Sequence, residues 1–278
     1  MSTTILALVE NTVYRPGLLA EHGLSLLIQS PHGTVLLDAG QTDAVLGNAG
    51  RLGVDLARVD RIVLSHGHFD HTGGLRSVLQ QTGPRDVVMH PDALEPKYAV
   101  RDSQVRSIGA PDTRQTLEAA GARLVLSERP FEIMPGILVT GCIPRLTDFE
   151  EVPERFRVRR DGALVRDPLR DDQALVVHTD EGPVVVLGCA HAGLANTLDY
   201  VSRLLGERRF AAVVGGTHLV DAEPLRLRRT LEALASYGIT RMAPCHCTGF
   251  RGQAALLGWL GERYVPLATG DRLDFRSL

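Results

Sequence analysis

The run Ser65-His66-Gly67-His68-Phe69-Asp70-His71 sets four metal-binding side chains within six positions, directly after the apolar stretch Ile62-Val63-Leu64. Imidazole nitrogen and carboxylate oxygen together suit a borderline divalent cation such as zinc, and a catalytic site keeps one coordination position open for water or substrate. A strand that stops at such a cluster presents it at a sheet edge. Ligands carried by other strand ends can meet it there, which demands a layered α/β fold whose strand ends converge.

The chain around the cluster repeats that design. Thr4–Val9 reads as a strand, and Leu24–Ile28 with Thr34–Leu37 reads as a hairpin turning at Pro31-His32-Gly33 and ending at Asp38-Ala39-Gly40. A helix over Thr42–Leu52 leads to the strand before the histidines. A helix over Leu75–Gln81, a strand at Asp86–Met89, a helix near Thr113–Ala120 and strands at Ala122–Leu126 and Ile137–Thr140 follow. The second half echoes this order. Ala174–His178 and Pro183–Leu187 form a hairpin ending at Gly188-Cys189-Ala190-His191, followed by a helix over Asn196–Leu205 and the strand Phe210–Val214 ending near His218. A helix over Pro224–Ser236 and a strand at Thr240–Ala243 then lead to Cys245-His246-Cys247. Each strand delivers a potential ligand at its carboxyl end, as Asp38 and His66 do in the first half. One domain over 1–278 is expected, built from two related halves. Residues 142–172, rich in proline and arginine and without periodicity, are expected to form a lid or insertion.

With 44% hydrophobic residues and a net charge of −3, the chain has a sizeable core and no basic footprint. Nucleic-acid and membrane partners are therefore not expected. No Lys/Arg-led leader opens it and no apolar run reaches spanning length, so a cytoplasmic protein is expected. A homodimer is compatible with its size. Four cysteines are too few for a disulfide framework, and Cys245-His246-Cys247 lacks the second ligand pair of a structural zinc element.

The order His-x-His-x-Asp-His, with its preceding strand and following Thr72-Gly73-Gly74, resembles the signature of the metallo-β-lactamase superfamily. The pieces Val9-Glu10-Asn11-Thr12, Ile143-Pro144-Arg145, Asp171-Asp172-Gln173, Gly188-Cys189-Ala190-His191 and His246-Cys247-Thr248-Gly249 extend the likeness to its dihydropterin-synthase-like group. The resemblance implies a four-layer αββα sandwich and two divalent metal ions, zinc ahead of manganese or iron. His66, His68 and His191 are expected to hold one ion, and Asp70, His71 and His246 the other. Cys189 stands where many relatives carry a bridging aspartate, and it is read either as a ligand or as a small buried residue. His218 is open between ligation, support of a ligand and substrate contact. Asp38 is expected to hold a ligating imidazole through its other N–H. His178 is read as structural, and His22, His32 and His90 as solvated.

The chemistry implied is hydrolysis of a small anionic substrate by a metal-bound hydroxide, with Asp70 also handling a proton and Arg145 binding the anion. A second possibility is a transferase of the dihydropterin synthase type, in which an arylamine displaces diphosphate from a pterin methylene and Tyr98, Phe149 or Phe156 supplies stacking. A redox or non-enzymatic metal protein is the third. It is disfavoured because diiron relatives place glutamate where His68 stands and carry a flavin domain.

Overall fold

The computed structural model describes residues 2–276; Met1, Ser277 and Leu278 of the 1–278 span lie outside the described residues. Strands covered on both faces read as unbroken apolar runs, and those runs build two central sheets. The first has seven strands in the order Arg272–Arg276, Ser2–Val9, Ser25–Ser30, Gly33–Leu37, Arg61–Val63, Arg85–Met89 and Ala122–Leu126. The second has six, in the order Gly238–Cys245, Arg209–Gly216, Val184–Leu187, Ala174–Val177, Ile137–Val139 and Phe131–Met134.

Side chains alternate between the two faces of a strand. One set, including Ile5, Ile28, Leu37, Val63, Val177, Val186 and Val214, packs between the sheets. The opposite set of the first sheet, including Leu8, Leu27, Leu36 and Ile62, packs with Val45 and Val78 of the helices Ala44–Arg51 and Leu75–Thr82. The outer face of the second sheet, including Val185 and Val213, meets Leu198, Leu234 and Leu256 of the helices Leu194–Leu205, Pro224–Leu234 and Gly249–Leu260. The αββα sandwich follows from this pattern. Each sheet also contains an antiparallel hairpin whose second strand begins a parallel run: Gly33–Leu37 pairs parallel with Arg61–Val63, and Val184–Leu187 pairs parallel with Arg209–Gly216. The carboxyl ends of these parallel strands carry Asp38, His66, Cys189, His218 and His246 to one rim.

Residues 142–172 differ from their expected irregularity. They contain the antiparallel pair Phe156–Arg160 and Ala163–Arg166, which joins a hairpin of Lys97–Arg101 and Gln104–Ser107 in a third, four-stranded sheet. Only Phe156 and Val158 of the strand Phe156–Arg160 are buried, so the charged residues between and after them hide its apolar character from a periodicity reading. Phe156 packs with Ile108, Val152 and Leu169 in a small apolar cluster beneath this sheet, against Phe69. Among the described residues no helix is long and apolar enough to cross a membrane.

Candidate metal centre

The rim is built at some backbone cost. Asp38, Ala190, His218 and His246 adopt positive φ of 60°, 52°, 45° and 51°, a left-handed conformation that disfavours L-residues by about 1–2 kcal/mol each. Gly188 is required where the two sheets meet: a Cβ there would stand 2.0 Å from Ser65 Oγ. Gly67 is equally constrained, since its Cβ would stand 1.8 Å from the carbonyl oxygen of Ala93.

Two groups of donor atoms face each other at the rim. His66 Nε2 lies 3.1 Å from His68 Nδ1 and 3.2 Å from His191 Nε2. His71 Nε2 lies 3.2 Å from His246 Nε2 and 3.6 Å from Asp70 Oδ2, and the same carboxylate oxygen is 3.3 Å from His246. Cys189 Sγ, 3.2 Å from His71 Nε2, reaches both groups: the donors of His66, Cys189 and His191, and those of His71, Cys189 and His246, each lie within 4.8 Å of one another. The His66 and His71 rings are 4.2 Å apart, so the two groups adjoin.

The second nitrogen of three imidazoles is occupied, which directs the first toward the rim. Asp38 Oδ2 accepts from His71 Nδ1 at 2.6 Å, and Asn11 Oδ1 accepts from His246 Nδ1 at 2.8 Å. Ser65 gives its hydroxyl proton to Asp38 Oδ2 at 2.7 Å, so its oxygen is free to accept from His66 Nδ1 at 2.9 Å. Each Nε2 then offers a lone pair, as a metal ligand must. His68 Nε2 and His191 Nδ1 are buried without a hydrogen-bond partner.

Electrostatics agree with this state. Burial, then His71 and His68, push His66 well below the usual imidazole range. Burial, then His218 and His68, do the same to His191. His68 falls to about 4, chiefly through burial. His71 is the exception: burial would lower it, but Asp38 and Asp70 prevail and raise it to about 9. Burial opposes ionisation of Asp70, yet His71 and His246 outweigh it and hold the carboxyl far below the usual carboxylate range. His66, His68 and His191, held neutral by burial, converge on one rim with His71, His246, a carboxylate and a thiol; the set fits borderline divalent ions, and a cation there would displace the proton His71 otherwise keeps.

A sequence model of the metallo-β-lactamase superfamily matches residues 19–246. The chain belongs to the metallo-β-lactamase superfamily. It is 30% identical over 271 residues, 92% of this chain and 90% of the other, to the 7,8-dihydropterin-6-methyl-4-(β-D-ribofuranosyl)-aminobenzene-5′-phosphate synthase of Methanocaldococcus jannaschii. An uncharacterized protein of the same organism, MJ0448, is 34% identical over 250 residues, covering 90% of this chain and 92% of that protein. Among solved structures, Tm1679, described as a metal-dependent hydrolase of the β-lactamase superfamily, matches with TM-score 0.87 and 30% identity over 99% of this chain and 100% of its own. Zinc-bound PqqB from Methylobacterium extorquens shares the fold at TM-score 0.61 and 15% identity, over 98% of this chain and 100% of its own. This is a family of metal-dependent proteins, many of them hydrolases.

Within this metallo-β-lactamase scaffold, other residues stand apart from the donors. His218 belongs to neither group; its ring lies 4.4 Å from that of His191 and lines the cavity in front of it. Arg145 is not on that cavity. Its Nη2 donates to the Leu169 carbonyl at 3.1 Å, and it lines a separate cavity with Glu150 and Arg166. The arginine beside the donors is Arg155. His22, expected to be solvated, is largely exposed yet sits 3.3 Å from Asp70 Oδ2. His90, also expected to be solvated, is fully buried, and its Nδ1 accepts from the Asp92 N–H at the start of the short helix Pro91–Leu94. His178 lies away from the rim, where its N–H donates to the Gly136 carbonyl.

Glu10 and Asn11 carry more than a family likeness. Buried Glu10 accepts from the His246 N–H at 2.6 Å, so the first strand's end anchors both the backbone and, through Asn11, the ring of that histidine. The Asp171-Asp172-Gln173 run ties the second half to the histidine turn. Asp171 accepts from the Gly67 N–H, Gln173 donates to the carbonyls of Ser65 and Leu64, and Asp172 accepts from the Ala192 N–H. Strand-end position was the available signal for Glu10 and Asn11.

Proposed function

We propose that this protein is a dinuclear metal-dependent hydrolase acting on a small anionic substrate. The observation that carries the reading is the pair of adjoining donor groups, His66/His68/His191 and Asp70/His71/His246, with Cys189 reaching both. Bound divalent ions would supply Lewis acidity and lower the pKa of water enough for hydroxide to form near neutral pH.

The chain's own residues do the rest. Asp38, Ser65, Asn11 and Glu10 fix the imidazoles in position and tautomer, as second partners of metal-binding histidines do. Asp70 faces the cavity, and the Oδ2 that meets His71 and His246 also lies 3.3 Å from His22 Nε2, which links the donor cluster to a largely exposed imidazole able to pass a proton toward solvent. Phe69, Ile108 and Phe156 line the cavity of about 370 Å³ and limit water at the donors, which strengthens electrostatic interactions there. Arg155 contributes a guanidinium to the same cavity, suited to an anion.

A second reading, transfer to an arylamine with displacement of diphosphate, is favoured by the 30% identity to the Methanocaldococcus jannaschii synthase over 92% of the chain. Of the three aromatics considered for stacking, Phe156 lines the cavity, whereas Tyr98 lies under Arg159 and Phe149 under Arg229.

The test combines metal analysis of the purified chain with a screen of phosphodiesters, phosphonates, lactones and pterin diphosphates. Metal-dependent hydrolysis lost in Asp70→Ala is expected. Full activity in Asp70→Ala without bound metal would end the dinuclear reading, and diphosphate release only when an arylamine is present would select the transferase.

A further inference from the structure

A groove of about 820 Å³ opens beside the donor cavity and shares His22, Phe69, Ile108 and Arg155 with it. Its outer wall is the hairpin of the third sheet. In that hairpin Ala99 pairs with Arg106 and Arg101 with Gln104, so the period-two alternation of strands puts all four side chains on one face. That face lines the groove. The same strand continues inward to buried Lys97, whose ammonium is held by Asp167 and Asp171 at 3.1 and 2.9 Å. Since Asp171 also accepts from the Gly67 N–H, the arginine-bearing strand is tied directly to the histidine turn.

The arginines on this wall differ in their partners. Arg155 is paired with Asp221 at 2.8 Å. Arg101 and Arg106 make no ion pair among the described residues; Arg106 lies over the Phe69 ring, 5.7 Å from its centre. Asp102 at the hairpin tip is the single carboxylate of the groove lining. Two unpaired guanidinium groups on one face of the hairpin, one braced by an aromatic ring, suit an anion with several acceptor oxygens. Their groove is continuous with the donor cavity, and its size suits a small-molecule ligand.

We propose that Arg101 and Arg106 form a distal subsite that takes a terminal phosphate of the substrate while its reacting centre lies at the donor cluster. This inference rests on the hydrolase reading for the identity of the reacting end. Substrate selection then depends on the charge at the far end of the molecule, and Arg101 and Arg106 are specificity-determining residues.

The test uses the full chain loaded with zinc and phenylphosphonate as a non-hydrolysable probe, with benzoate and benzyl alcohol for comparison. Binding is measured calorimetrically, and the arginine Nε–H signals are followed by NMR, assigned from Arg101→Gln and Arg106→Gln. Phenylphosphonate is expected to shift both signals and to bind at least about 10-fold more weakly to the double variant, with bound zinc unchanged. Unchanged affinity in the double variant with unmoved arginine signals would overturn the subsite, since the probe would then sit at the zinc alone. Benzoate binding as tightly as phenylphosphonate would overturn the phosphate assignment. Failure of every hydrolysis assay while the arginine signals still shift would sink the hydrolase reading and leave the subsite standing.

Discussion

Asp38 Oδ2 lies 2.6 Å from Nδ1 of His71, a residue 33 positions away, and both side chains are fully buried. The same carboxylate accepts from the backbone N–H and the hydroxyl of Ser65, whose oxygen in turn meets His66. One acid therefore orients an imidazole in each donor group, directly in one case and through a hydroxyl in the other.

Replacing Asp38 with alanine is expected to weaken metal binding about 10–100-fold, the usual effect of removing a ligand's hydrogen-bond partner. Competition with a chromophoric chelator measures it. Equal affinity in the variant would mean that packing alone holds the imidazoles.

Cys189 separates two expectations of chemistry. If its sulfur joins both ions, Cys189→Asp keeps the full metal content and Cys189→Ala loses part of it, as read by elemental analysis after dialysis. Retention of all metal by Cys189→Ala would make the thiol a packing residue, a common role for buried cysteine.

Gly188→Ala drives a methyl group into Ser65, 2.0 Å from its Oγ. A loss of about 1–3 kcal/mol is expected from such overpacking. In a chain this size each kcal/mol lowers the melting temperature by about 2–4 °C. Gly50→Ala, with nothing within 4 Å of the new Cβ, is the control and keeps or slightly raises it.

Lys97 predicts an unusual pH profile of stability. Burial would lower its pKa, but Asp171 and Asp167 prevail and raise it above the ordinary 10.5. A raised folded value means the stabilisation is fully present below 10.5 and fades as pH climbs through the folded pKa. Lys97→Met strands two buried carboxylates and is expected to cost about 3–5 kcal/mol. Denaturant titrations should find that difference flat from neutral pH to pH 9 and narrowing above about 10.5. A difference that varied across neutral pH would assign the stabilisation to another group.

The alternating strands and helices of both sheets could be read because their apolar runs are long and their turns carry glycine, proline and aspartate. The third sheet could not: Lys97–Arg101 places a charge at its one covered position, where Lys97 is buried because two aspartates meet it, and in Phe156–Arg160 arginines crowd around the two covered apolar residues. Gly249–Leu260 begins with glycine and contains two more, which conceals a helix. At the rim, residues 66–71 announced themselves by being contiguous. Glu10 and Asn11 meet His246 across about 235 positions, a juxtaposition created by sheet order rather than spacing.

The third sheet takes one hairpin from each half of the chain, stitched by the pairing of Phe156 with Ala99 and Val158 with Lys97. An insertion within either paired strand disturbs its register with the other, so this roof is altered at its seam only by changes on both sides. Among relatives of this protein, new substrate preferences should therefore arise through matched insertions or exchanges in two distant stretches of sequence, while the metal rim below stays as it is.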